Sequence, residues 1–167
     1  MNIRIARSAA ILALLSAAAA QPAIAATTDT LDVSATVTSN CNVSAGTVAF
    51  GDVDVTTGAA VDGTGTISVT CTSGTAWSAA ADAGAGTGAS LATRKMANGA
   101  NLLNYALYTD SARTNIWGDA ADASTVKVTG TGTGSAQSTT IYGSVLASQT
   151  SLPAGAYTDT VTVTVSY

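Results

Sequence analysis

Histidine is missing from this chain, and so is glutamate. Without histidine the usual Ser-His and Cys-His nucleophile arrangements cannot be assembled. A Ser-Lys pair through Lys95 or Lys127 is possible in principle, but nothing in the spacing supports one. Charge is scarce as well, at 10% of residues, with ten acids and six bases. Such a surface offers no basic cluster for nucleic acid or an anionic membrane, both of which reward grouped Lys and Arg. The two cysteines lack the further Cys or His ligands that a zinc site needs. Asp52 with Asp54, and Asp119 with Asp122, lack the oxygen-rich ladder of a calcium loop and read as solvated turn acids. The runs Gly84-Ala85-Gly86-Thr87-Gly88 and Gly130 to Gly134 carry no Lys-Ser/Thr ending and open no predicted helix, so they read as plain loops. The expectation is a protein with no catalytic residue, no metal and no cofactor.

No apolar run reaches the roughly 20 residues that span a bilayer. Ala9 to Ala20, preceded by Arg4 and Arg7 and followed by Ala23-Ile24-Ala25, instead has the layout of a secretory signal peptide over residues 1–25. Cleavage after Ala25 leaves ten aspartates against four basic residues, a net charge of −6. In an exported chain Cys41 and Cys71 most simply pair with each other. Closing their loop of about 30 residues is worth roughly 3–4 kcal/mol. The bond also implies an oxidising compartment, the periplasm or beyond.

What is present is Thr, Ser, Ala, Val and Gly, a composition that suits short strands and tight turns. The end of the chain is the clearest case. Val161, Val163, Val165 and Tyr167 alternate with Thr160, Thr162, Thr164 and Ser166, the period of a half-buried strand. The apolar face runs to Tyr167, which predicts a strand paired to its last residue and met there by a partner. Thr30 to Thr38 alternates too, with Leu31, Val33, Ala35 and Val37 on one face. Further strands are predicted at Thr47–Gly51, Thr66–Cys71, Trp77–Ala81, around Leu103, Tyr105 and Leu107, at Asn115–Gly118, Thr125–Thr129 and Thr139–Leu146. Asp52 to Gly65 reads as a loop, Leu91 to Asn101 as irregular and Gly130 to Ser135 as flexible connection. Trp77 and Trp117 read as core rather than a sugar-stacking platform, with Arg113 a surface charge placed to lie against the Trp117 ring. Short strands without a good helix predict an all-β sandwich in one domain.

The segment Pro153-Ala154-Gly155-Ala156-Tyr157-Thr158-Asp159-Thr160-Val161-Thr162-Val163-Thr164-Val165 resembles the closing motif of the spore coat protein U domain family. That family includes the major subunits of Csu-type, or archaic, chaperone–usher pili. Tyr105 to Asn115 with Trp117-Gly118, and Ile141-Tyr142-Gly143-Ser144-Val145, match further motifs in order and spacing. Ile141 departs from the pattern, standing where the family has a proline.

The resemblance implies an incomplete immunoglobulin-like β-sandwich, residues 39–167, completed by donor-strand exchange with an N-terminal strand over residues 26–38. Strand addition to an open sheet edge is a general recognition mode, and chaperone–pilin donor-strand complementation is an established case of it. The implied partners are a periplasmic chaperone, an outer-membrane usher and identical subunits joined head to tail into a surface filament for adhesion and biofilm formation. Leu31, Val33, Ala35 and Val37 would enter the groove. Burial of the three larger side chains is worth on the order of 5–9 kcal/mol gross. Val161, Val163, Val165 and Tyr167 would form the groove wall that meets the chaperone. Two other readings are a ligand-binding adhesin domain and a structural protein of a spore coat.

Overall fold

A computed structural model describes residues 24–119 and 124–167. The signal-peptide expectation lies outside the described residues except for Ile24 and Ala25, and so does Asp122. The chain divides into two units, Met1–Ala35 and Thr36–Tyr167. In the first, residues 24–35 form no helix, strand or turn and are exposed throughout. The alternating strand expected from Thr30 has no ladder partner, and without one its period of two builds no strand.

In the second unit ten strands occur among the described residues, and no helix. They are β1 (Cys41–Ala45), β2 (Val61–Cys71), β3 (Ala76–Ala81), β4 (Arg94–Asn98), β5 (Asn101–Tyr108), β6 (Ile116–Trp117), β7 (Thr125–Val126), β8 (Val128–Thr131), β9 (Gln137–Val145) and β10 (Val163–Ser166). One sheet runs β1-β2-β9-β5-β6-β7, with β4 also paired to β5; the other runs β10-β3-β8. All pairs are antiparallel except the short β6–β7 contact.

The two sheets share one core. Ile67, Val69 and Cys71 of β2, Leu103, Tyr105 and Leu107 of β5, and Ile141 and Val145 of β9 come from the larger sheet; Trp77, Ala79 and Ala81 of β3 come from the smaller. On β2 these alternate with Thr66, Ser68 and Thr70, so burial follows the period of two read from the sequence. Both tryptophans are core, and each ties the sheets together through its indole N–H. Trp117 donates to the Ala79 carbonyl at 3.0 Å, and Trp77 to Gln137 Oε1 at 3.3 Å.

The structure corrects several expectations. Residues 94–98 are a strand, not irregular, because a two-residue turn at Gly99-Ala100 folds them back along β5. The loop after Asp52 ends early, at Val61, where β2 begins its pairing with β9. Thr47–Gly51 contributes only an isolated bridge, Ala49 to Thr64. Thr125–Thr129 is two strands, since the chain passes between sheets at Lys127. The glycine-rich run begins inside β8. Gly130 lies against the Trp77 ring, where a Cβ would come within 2.5 Å of Cζ2. Arg113 covers the Tyr142 ring at 5.9 Å, not Trp117, and pairs with Asp62 at 3.1 Å.

Candidate strand-docking groove

The C-terminal strand is an edge. Among the described residues β10 pairs with β3 alone, in the register Val163 to Ala81 and Val165 to Ala79. One place further on, the Asp82 N–H donates to the Thr162 carbonyl at 3.1 Å. In an antiparallel ladder the bonded and non-bonded pairs alternate. Thr162, Thr164 and Ser166 therefore turn their main-chain groups to β3, and Val163 and Val165 turn theirs to the open side. Their side chains point inward and pack on the core, yet Val161, Val163 and Val165 are only half-buried. Tyr167 is 60% exposed.

Opposite β10 lies β1, an edge strand of the larger sheet. Between them is a cavity of about 450 Å³, with Ala45 to Val48 on one wall and Tyr157 to Val161 and Val163 on the other. Its floor is apolar: Ile67, Leu107, Trp117 and Ile141, with the Tyr105 ring. A second hollow of about 820 Å³ shares Val48, Phe50, Met96 and Tyr157 with the first and carries the opening on toward Leu152. At the other end the Tyr167 hydroxyl donates to Asn40 Oδ1 at 3.3 Å, bridging the two edges.

Each wall is anchored. Cys41 and Cys71 sit opposite each other in the β1–β2 register and form a disulfide. Just before it, the Thr72 N–H donates to the Asn40 carbonyl at 2.9 Å, the Asn40 N–H donates to Thr72 Oγ1 at 3.1 Å, and Thr75 Oγ1 donates to Ser39 Oγ at 3.2 Å. Residues 39 and 40 are thereby fastened to the β2–β3 turn.

The second wall changes sheets. Thr158 exchanges main-chain bonds with Ala97 of β4, and five residues later Val163 is paired with β3. Two carboxylates fill the gap in the ladder. Asp159 Oδ1 accepts the N–H groups of Ala85 and Thr160, both at 2.8 Å, and Oδ2 accepts the Tyr105 hydroxyl at 2.6 Å. Asp82 Oδ1 accepts the N–H groups of Gly84 and Thr162, both at 2.9 Å. Gly84, at φ 80°, has to be glycine, because a Cβ there would run into the Asp159 carboxylate. Desolvation raises the pKa of Asp82, but the Thr162 and Gly84 donors and the nearby Arg94 charge outweigh it, and the carboxyl titrates below its ordinary value. Burial and the bond to Asp159 push the Tyr105 phenol well above its ordinary range.

Arg94 is fully buried and, among the described residues, has no ion-pair partner; its guanidinium donates to the carbonyls of Asp82, Leu91 and Trp117 at 2.7–2.9 Å. Desolvation lowers its pKa. Sequence reasoning placed Arg94 in irregular chain and Asp82 in a loop, and gave Asp159 no role. The one available signal was the aspartate interrupting the alternation just before Val161. Leu31, Val33, Ala35 and Val37, the expected donor residues, are all exposed, the first two at 88% and 85%.

The Spore Coat Protein U domain model matches residues 27–164, nearly the whole of this sheet assembly and the segment before it. This chain belongs to the Spore Coat Protein U domain family. No curated protein matches it. Among solved structures it is similar to one titled as the CsuC–CsuE chaperone–tip adhesion subunit pre-assembly complex from archaic chaperone–usher Csu pili of Acinetobacter baumannii. The likeness has a TM-score of 0.57 at 22% identity over 79% of this chain, and spans 40% of the length of the matched chain. The likeness is one of fold: an all-β sandwich whose sheets are not closed.

Proposed function

We propose that this protein is a structural pilin. It is exported through the periplasm and polymerises head to tail by donor-strand complementation into chaperone–usher surface fibres that serve adhesion and biofilm formation. The observation that carries the reading is the β10 edge: Val163 and Val165 offer unpaired main-chain groups beside an apolar groove, and their side chains are half-covered. An uncovered edge over a half-open core is an aggregation hazard that a partner strand removes. The same chain carries a segment of fitting pattern, Leu31, Val33, Ala35 and Val37, with its apolar side chains in solvent. Its own copies thus hold both halves of a self-propagating joint, which does not close and so yields a filament.

The partners of this reading are identical subunits, a periplasmic chaperone that occupies the groove first, and an outer-membrane usher. The family membership and the absence of histidine support a non-enzymatic role. The decisive experiment deletes residues 26–38 while keeping the signal peptide. The truncated chain should accumulate as a chaperone-bound monomer and form no fibres in electron micrographs. Fibres of normal length from the truncated chain would refute the proposal. A glycan-binding screen on the monomer separates this role from that of an adhesin domain.

A further inference from the structure

The donor groove, taken as read above, needs its C-terminal wall held straight at the place where that wall has no continuous ladder. From Thr158 to Val163 the chain leaves the larger sheet and joins the smaller, and over this stretch its main chain is secured by side chains. Asp82 takes the Thr162 N–H, and Asp159 takes those of Thr160 and Ala85, with the Tyr105 hydroxyl on its second oxygen. We infer that Asp82 and Asp159 are positioning residues for strand capture: they set residues 158–163 in the line that an incoming donor must follow, without touching the donor's apolar side chains.

Three features support this. The bonds are charge-assisted, the stronger class, and they converge on one short segment that lines the groove. Tyr105 joins floor to wall, since its ring lies in the groove floor and its hydroxyl binds Asp159. Arg94 steadies the far side by holding the Asp82 carbonyl at 2.9 Å, so the Asp82 backbone cannot drift from the wall it supports. A wall free to bow would have to be ordered at the moment of docking, and that ordering subtracts from affinity. These carboxylates supply the order beforehand.

The test uses the full processed chain and a fluorescent peptide copying residues 27–38, with capture followed by anisotropy. Asp82→Ala and Asp159→Ala should each weaken capture about tenfold or more, the loss expected for a charge-assisted bond. Asp82→Asn and Asp159→Asn keep an acceptor oxygen and should recover most of it. Tyr105→Phe, which keeps the ring, should fall between wild type and Asp159→Ala. Asp110 is the control. It binds the Thr114 and Asn115 N–H groups in the β5–β6 turn by the same chemistry, but that turn is no part of the segment that lines the groove. Asp110→Ala should leave capture unchanged, even if it lowers the melting temperature as much as Asp82→Ala does. Wild-type capture in both groove alanine variants overturns the inference, as does an equal loss in Asp110→Ala. If the unaltered protein takes no peptide at all, the groove reading fails and carries this inference down with it.

Discussion

β9 and β10 are written in nearly the same language and end in different environments. Both place β-branched residues on the inward face, Ile141 and Val145 on β9 and Val163 and Val165 on β10, and both present that face to the same core. β9 has a neighbour on each side, β2 and β5, and its Ile141 and Val145 are 1% exposed. Among the described residues β10 has β3 on one side and no paired strand on the other, and its valines stop at half burial. The pattern that makes a strand therefore does not decide how well it is covered. Coverage is set by the number of neighbours, and β10 is one neighbour short.

That contrast can be broken or sharpened by measurement. The largest effect is expected in the centre: Ile141→Ala should cost the free subunit about 2–5 kcal/mol in a denaturant titration, as a buried aliphatic side chain does when truncated. Removing the disulfide with Cys41→Ser and Cys71→Ser together should cost about 3–4 kcal/mol, because the link closes a loop spanning 30 residues. Val163→Ala should cost the free subunit only about 1 kcal/mol, the value for a side chain still partly in water. The same change should weaken peptide capture, and a Val163 penalty equal to that of Ile141 would erase the distinction between the two strands.

Titration gives a smaller test. The Tyr105 phenol has a folded-state pKa raised above its unfolded value of 10.0, so its contribution is complete below pH 10 and is lost as pH climbs beyond it. Melting temperature in wild type should drop more steeply above pH 10 than in Tyr105→Phe. Asp82 works in the opposite direction: its pKa is lowered on folding, and its contribution fades only as pH falls below the ordinary aspartate range. Least of all, Thr164→Val on the exposed face of β10 should stay within about 0.5 kcal/mol of wild type.

Much of this architecture was legible in the sequence. Strands with clean alternation, β2, β3, β5 and β9, appear where the period placed them, because one buried face leaves a regular mark. β4 was missed since it begins with a buried arginine, and a charge in the core reads as the end of a strand. The split between β7 and β8 was missed because a change of sheet costs one residue and leaves the composition untouched. Of the residues expected on the groove wall, Val161 and Val163 line the cavity and Val165 and Tyr167 do not; the carboxylates that hold this stretch were not legible at all. Asp82 lies 77 positions from Asp159, and only folding brings both to one turn of chain. No local pattern announces such a pair.

The fastening of residues 39 and 40 to the β2–β3 turn has a mechanical consequence. In a fibre joined as proposed, tension from flowing liquid would enter each subunit through the segment that precedes residue 39. It would meet the threonine bonds first, and then, within two residues, the covalent bridge from Cys41 to Cys71. Load would pass straight into a central strand of the larger sheet instead of peeling an edge. Stretching single fibres before and after chemical reduction would show it, with the reduced fibres lengthening at lower force.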